Sequence, residues 1–233
     1  SNLQGEEILD AKGMTLLPSF VDLCVSLKND KFSLANLELL ENECLKGGIS
    51  SIVLRDCMDF DEESFALFLQ NLAQRKMQIF SSVRVKDTNG KLKNLATLLN
   101  KGACALELDS SLDANTLKVS SQYAFMKDSP IFVRCYDKDF DDNGVMNDCE
   151  MSFELGLIGM SKIAETSQMA KMKELAKFYK NKVIFDLLSL KDSLVLLDEK
   201  DLKLVSIHHL IKDDSACEDF NTAAKLMPPL RSK

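Results

Sequence analysis

Short apolar runs alternate with longer amphipathic stretches along this chain, and the alternation reads as repeated strand–helix units. Residues 20–26 read as a buried strand. Residues 34–46 read as a helix with Leu37, Leu40, Cys44 and Leu45 on one face, ended by Gly47-Gly48. Residues 49–54 form a short apolar strand. Residues 61–76 follow as an amphipathic helix, with Asp61 placed to cap it and Glu62 and Glu63 in its first turn. Further strands are expected at 77–85, 103–108, 130–135, 183–188 and 203–208. Further helices are expected at 92–100, 113–127, 162–179 and 193–199, with a long irregular segment over 137–161.

Near-continuous apolar strands separated by helices imply an α/β fold with a parallel sheet covered by helices. Seven strands and no dinucleotide-type glycine fingerprint favour a TIM-type (β/α) barrel over an open doubly wound sheet. A complete barrel of that kind has eight strands. The expectation is therefore a barrel over residues 17–233 that lacks its eighth strand and its C-terminal part, preceded by a remnant of another domain or linker over 1–16.

Composition narrows the function classes. The 233 residues are 45% hydrophobic and 28% charged, ordinary for a globular protein. The net charge of -7 argues against a general nucleic-acid surface, which needs clustered Lys and Arg. No apolar run approaches the roughly 20 residues of a membrane-spanning helix. Seven scattered cysteines, with no C-x-x-C pair, fit reduced thiols in a cytoplasmic protein, most of them acting as small buried hydrophobes.

Active sites of such barrels gather at the C-terminal ends of the strands. The residues expected there are Asp22, Cys24 and Ser26, then Arg55 and Asp56, Arg84, Glu107 and Asp109, Arg134 and Asp137, Asp186 and Ser189, and lastly His208 and His209. A hydrolytic zinc site needs about three protein ligands and an open position for water. The chain has two histidines, and they are adjacent, so on a strand only one of them faces the axis. A Cys24–His208–Asp109 set is conceivable, but no spacing supports it. The default reading is structural: both histidines as polar residues, Arg55 paired with Asp56, Arg134 paired with Asp109, and Cys24 as a small buried residue without a base to activate it.

Pro18-Ser19-Phe20-Val21-Asp22-Leu23-Cys24-Val25-Ser26-Leu27-Lys28 resembles the first barrel strand of the dihydroorotases, zinc-dependent cyclic amidohydrolases of pyrimidine synthesis. The likeness continues through Gly144-Val145-Met146-Asn147, Leu155-Gly156-Leu157-Ile158-Gly159, His208-His209-Leu210 and Pro228-Pro229-Leu230-Arg231. The departures fall at the family's chemistry. Its zinc-ligand places are taken by Cys24, Ser26, Arg134 and Leu187, and its substrate-binding places by Lys28, Cys57 and Met227. Asp109 is the one candidate for a surviving acidic ligand.

The resemblance thus implies a dihydroorotase-like homologue with no catalytic residues and no bound zinc. Such homologues associate with aspartate transcarbamoylase and support its assembly, so that enzyme is the expected partner, alongside self-association through the missing strand's place. Two alternatives stand beside it. One is an active cyclic amidohydrolase with an unusual metal site. The other is a sensor of small anions that uses Arg55, Arg84 and Arg134 in the vacated mouth.

Overall fold

The computed structural model describes residues 10–27, 29, 31–55, 58–140 and 143–233. The chain alternates strand and helix through its first two-thirds: β1 (Phe20–Val25), α1 (Leu34–Lys46), β2 (Ile49–Leu54), α2 (Glu62–Leu72), β3 (Gln78–Ser81), β4 (Val83–Arg84), α3 (Leu95–Lys101), β5 (Leu106–Asp109), α4 (Ala114–Met126) and β6 (Ile131–Arg134). Then come β7 (Met146–Asn147), α5 (Glu150–Glu154), β8 (Gly159–Met160), α6 (Ile163–Tyr179), β9 (Val183–Asp186), α7 (Lys191–Val195), β10 (Leu202–Lys203) and α8 (Ile207–Ile211).

Local chemistry fixes most of these boundaries. Ser33 caps α1 and Asp113 caps α4, each side chain accepting from a first-turn main-chain N–H. Asp61 and Ser64 form a reciprocal capping box at the start of α2. Helix α3 begins later than the apolar pattern suggests, because Lys86 and Leu92 make an antiparallel bridge that holds the preceding turn. Gly102, at φ 114°, ends it in a left-handed conformation that a side chain would resist.

The main strands form two parallel sheets, ordered β1-β2-β3 and β10-β9-β6-β5-β4, beside a separate two-stranded pair, β7-β8. The two main sheets meet at Ser82, between β3 and β4. Ser82 donates its N–H to Leu54 of β2 at 3.2 Å, while Val83 donates to Ala105, just before β5, at 3.1 Å. Counting β3 and β4 as one strand, the described residues supply seven successive parallel strands, with β1 and β10 at the free edges. No closed ring forms among the described residues.

Three expectations are corrected. The first strand is paired but not buried: Phe20 is 67% exposed and Val21 63%. It has a neighbour on one side alone, β2, and nothing among the described residues covers its outer edge. The last strand is two residues long, and His208 and His209 sit on α8 rather than on a strand. Ser206 caps that helix, and Ile207, Leu210 and Ile211 recur at helical rather than strand spacing. The segment 137–161 is partly ordered, with β7 and β8 paired in parallel around α5.

The main core lies between the sheets and the helices, built from residues such as Leu37, Phe65, Phe68, Val83, Leu95, Leu106, Val133, Met169 and Phe185. A smaller cluster, Val53, Ala105, Phe132 and Ile184, packs on the other face of the strands. Because successive strand side chains alternate faces, this cluster sets the phase of the inner face. Two residues farther along each strand come Arg55, Glu107, Arg134 and Asp186.

Candidate functional site at the strand ends

Arg55 stands at the centre of the mouth. Its Nε donates to Glu107 Oε1 at 2.9 Å and its Nη1 to Asp186 Oδ2 at 2.8 Å. The three side chains are 14%, 12% and 5% exposed. The guanidinium lies over the Phe132 ring, 4.3 Å from its centroid. One cation thus ties β2 to β5 and β9 while resting on β6. The Ser82 hydroxyl also hydrogen-bonds Glu107. Burial lowers the pKa of Arg55, but the Glu107 and Asp186 charges outweigh it and the net shift is upward.

Cys24 lies on an exposed strand, yet its thiol turns toward this cluster, 3.8 Å from Asp186 Oδ1 and 3.7 Å from Arg55 Nη1. Burial of the sulfur, followed by the Asp186 charge, pushes the thiol pKa up to about 11, with Arg55 opposing. At neutral pH the group is a protonated thiol and a poor nucleophile.

The ion pairing expected across the mouth exists, but with different partners. Arg55 takes Glu107 and Asp186. The pairing with Asp56, like the calls on Lys28 and Cys57, falls outside the described residues. Arg134 and Asp109 are register partners on β6 and β5, yet each turns elsewhere. Arg134 Nη2 donates to the Met227 carbonyl oxygen at 3.1 Å, and Asp109 accepts from the Ser111 N–H and hydroxyl at 2.9 and 2.6 Å.

A cavity of about 340 Å³ opens above Arg55, lined by Arg84, Lys86, Asp109, Arg134 and Leu187 among others. All three arginines expected at the mouth therefore line one cavity. Lys86 is ion-paired with Asp113 at 2.6 Å. Leu187 has a left-handed backbone, φ 53°, immediately after β9. Ser26 is exposed at the open edge, and His208 is exposed on α8. The conceivable Cys24–His208–Asp109 set is not assembled: the Cys24 thiol faces Asp186, Asp109 faces Ser111 and His208 lies on the α8 surface. His209 Nε2 instead contacts the Pro228 carbonyl oxygen at 3.1 Å.

These donors do not fit a hydrolytic zinc centre. Among the described residues no three His, Cys, Asp or Glu side chains are grouped to hold a metal ion. The two buried carboxylates at the mouth already hold a guanidinium. Sequence reasoning named Arg55, Glu107 and Asp186 but missed their mutual pairing, and it missed Phe132 and Ser82. The available signal was the two-residue alternation, which places Phe132 on the face of Arg134 and one level below it.

No family model matches the chain. Among curated proteins it is 30% identical to a dihydroorotase of Ruminiclostridium cellulolyticum, over 98% of this chain and 57% of that protein. It is 26% identical to a dihydroorotase of Acetivibrio thermocellus, over 97% of this chain and 57% of that one. The chain is a homologue of the dihydroorotases.

A "probable dihydroorotase-like protein" of Helicobacter pylori is 26% identical over 100% of the chain and 55% of its own length. The chain thus spans a little over half the length of the curated relatives it matches. In fold it is similar to an L-hydantoinase from Arthrobacter aurescens, with a TM-score of 0.79 and 16% identity over 99% of this chain and 56% of that one. A D-hydantoinase matches with a TM-score of 0.75 and 16% identity, over 100% of this chain and 57% of that one. These likenesses show a shared fold: a parallel α/β arrangement similar to that of the hydantoinases. The described strands of this dihydroorotase homologue form an open arc. No helix among its described residues is long and apolar enough to cross a membrane.

Proposed function

We propose that this chain is a dihydroorotase-like protein of pyrimidine synthesis that does not hydrolyse dihydroorotate, binds no zinc and serves as a structural partner of aspartate transcarbamoylase. The observation that carries the first half is the Arg55–Glu107–Asp186 cluster, in which a fixed positive charge sits among the buried acids of the mouth. Zinc-dependent hydrolysis needs a metal to acidify water and polarise the ring carbonyl. A guanidinium offers neither an open coordination position nor a removable proton near neutral pH. Arg134 and Leu187, at two of the family's ligand places, supply no metal donor either. Loops that match the family in sequence are built to hold shape. A Cβ on Gly144 would lie 2.7 Å from the Gly159 main chain, so the close approach of the segments that carry β7 and β8 accounts for the glycine at 144.

The partner rests on the family resemblance, and co-purification tests it. The chain is expected to co-elute with aspartate transcarbamoylase from the same organism and to raise the yield or stability of its active assembly. Separate elution and an unchanged transcarbamoylase activity with and without the chain would overturn that half.

One observation favours a second reading, a pocket for a small anion. Arg134 lines the 340 Å³ cavity and donates to a main-chain carbonyl rather than to a carboxylate. A melting shift with carbamoyl aspartate or orotate, lost in Arg134→Gln, supports this reading; no shift with either ligand rules it out.

A further inference from the structure

We propose that the cavity lined by Arg231, Lys162, Lys191 and Lys212 is a binding site for a small phosphate-bearing ligand. The site goes beyond the readings above and lies apart from the mouth: the two cavities share no lining residue.

The cavity holds about 580 Å³, within the range of small-ligand pockets. Five cations line it: Lys162 just before α6, Lys191 at the start of α7, Lys212 just after α8, and Arg231 and Lys233 near the end of the chain. The whole chain carries a net charge of -7, so this concentration of positive charge is local. Two carboxylates, Asp192 and Asp213, face the same space. Asp213 is already taken, by Lys233 at 3.0 Å and by the Ser215 N–H at 3.0 Å. Lys162, Lys191 and Lys212 are exposed and make no ion pair among the described residues. Arg231 is the fixed element. Its Nε donates to Ser189 Oγ at 3.1 Å, and its Nη1 donates to Asn147 Oδ1 at 2.8 Å and to the Met160 carbonyl oxygen at 3.1 Å. All three acceptors are neutral. Two acids stand one relay away: Glu165 accepts from the Ser189 hydroxyl, and Asp214 accepts from Asn147 Nδ2 at 3.0 Å. Arg231 Nη2 is buried and has no hydrogen-bond partner among the described residues. A guanidinium held only by neutral groups, with one donor unspent, favours an anion in the cavity it lines.

The cations decide the class of anion. They come from four separate segments around one space. That arrangement suits a tetrahedral phosphate, with three free oxygens and nearly two charges, better than a planar carboxylate with two oxygens and one charge. Exposed Leu210 and Ile211 line the same cavity and offer an apolar wall to the carbon skeleton of an organic phosphate.

The test is ligand binding by the whole chain, read by calorimetry and by thermal unfolding at matched ionic strength. The probes are inorganic phosphate, glycerol 3-phosphate and succinate. Both phosphates are expected to bind saturably, at least about tenfold more tightly than succinate, and to raise the unfolding midpoint. Lys191→Glu/Lys212→Glu alters two exposed side chains and is expected to fold as wild type while weakening phosphate binding at least about tenfold. Lys118→Glu/Lys127→Glu makes the same change in net charge at exposed positions outside the cavity and is expected to bind phosphate as wild type does. Absence of saturable phosphate binding in wild type overturns the inference, and so does an equal loss in the two charge-reversed variants. Succinate binding as tight as phosphate binding overturns the phosphate assignment. Phosphate binding that Arg134→Gln abolishes and Lys191→Glu/Lys212→Glu leaves intact overturns this site and supports the anion pocket at the mouth instead, which keeps the two readings apart.

Discussion

Asp186→Ala is the substitution that weighs the mouth cluster most directly. It removes the carboxylate that receives Arg55 Nη1 at 2.8 Å and leaves the guanidinium with Glu107 on its other side. Both members of the lost pair are well shielded, at 14% and 5% exposure, so solvent recovers little of the charge. Breaking a buried pair by deleting one partner costs about 3–5 kcal/mol, and the retained Glu107 contact argues for the lower end, about 3 kcal/mol. With a urea slope of about 3 kcal/mol per molar for a chain of this size, the unfolding midpoint falls by about 1 M. Asp186→Asn keeps an acceptor for the guanidinium and should cost about 1 kcal/mol.

A second signal accompanies the first. Asp186 is one of the groups that raise the Cys24 thiol pKa to about 11, after burial itself. Deleting it makes the thiol more acidic, so alkylation of Cys24 at about pH 9 should be faster than in wild type. Equilibrium urea unfolding and timed alkylation followed by mass spectrometry read the two effects. A stability change under about 0.5 kcal/mol together with unchanged alkylation would refute the assignment of Asp186 as a buried counter-charge.

Further outcomes follow from the same geometry. Cys24→His with Ser26→His, restoring two family-type ligands, is expected to yield no dihydroorotase turnover, because Arg134, Leu187 and the Arg55 cluster remain; chelator-sensitive turnover in that variant would contradict this. Gly144→Ala is expected to cost about 1–3 kcal/mol in chemical denaturation, since its Cβ would meet the Gly159 main chain at 2.7 Å. Asp59 accepts from the Thr88 N–H and from Lys93, which hold its pKa down at about 2. Its stabilising effect is fully present above the unfolded value near 4 and is lost as pH falls through about 2, so Asp59→Asn should flatten the acid limb of stability against pH. Leu16, Leu17, Phe20 and Val21 are exposed beside and along β1, and light scattering is expected to show self-association that polar substitution at Phe20 and Val21 weakens.

The sequence carried the order of the layers better than the state of the edges. Apolar runs predict α1, α2, α4 and α6, and Asp61 caps α2 where its position suggests, because those signals are local. Strand β1 reads as buried because Phe20, Val21 and Leu23 are apolar; whether a neighbour covers them depends on partners far along the chain. The apolar run up to His208 suggests a strand ending at the two histidines, whereas Ser206 and the spacing of Ile207, Leu210 and Ile211 build a capped helix. At the mouth, residue types were legible and pairings were not. Arg55, Glu107 and Asp186 are 52 and 79 residues apart in succession, and only the strand register brings them together. The inward position of Glu107 follows from its place two residues after Ala105, but that phase is visible only once the inner face is known.

The central claim, a dihydroorotase homologue whose mouth holds an arginine in place of catalytic metal chemistry, is tested most directly by one activity measurement. The purified protein is assayed for dihydroorotate hydrolysis and for the reverse cyclisation of carbamoyl aspartate, after incubation with zinc and after chelation. The account predicts no turnover above the protein-free blank in either state. Turnover that appears with zinc and disappears on chelation would contradict it.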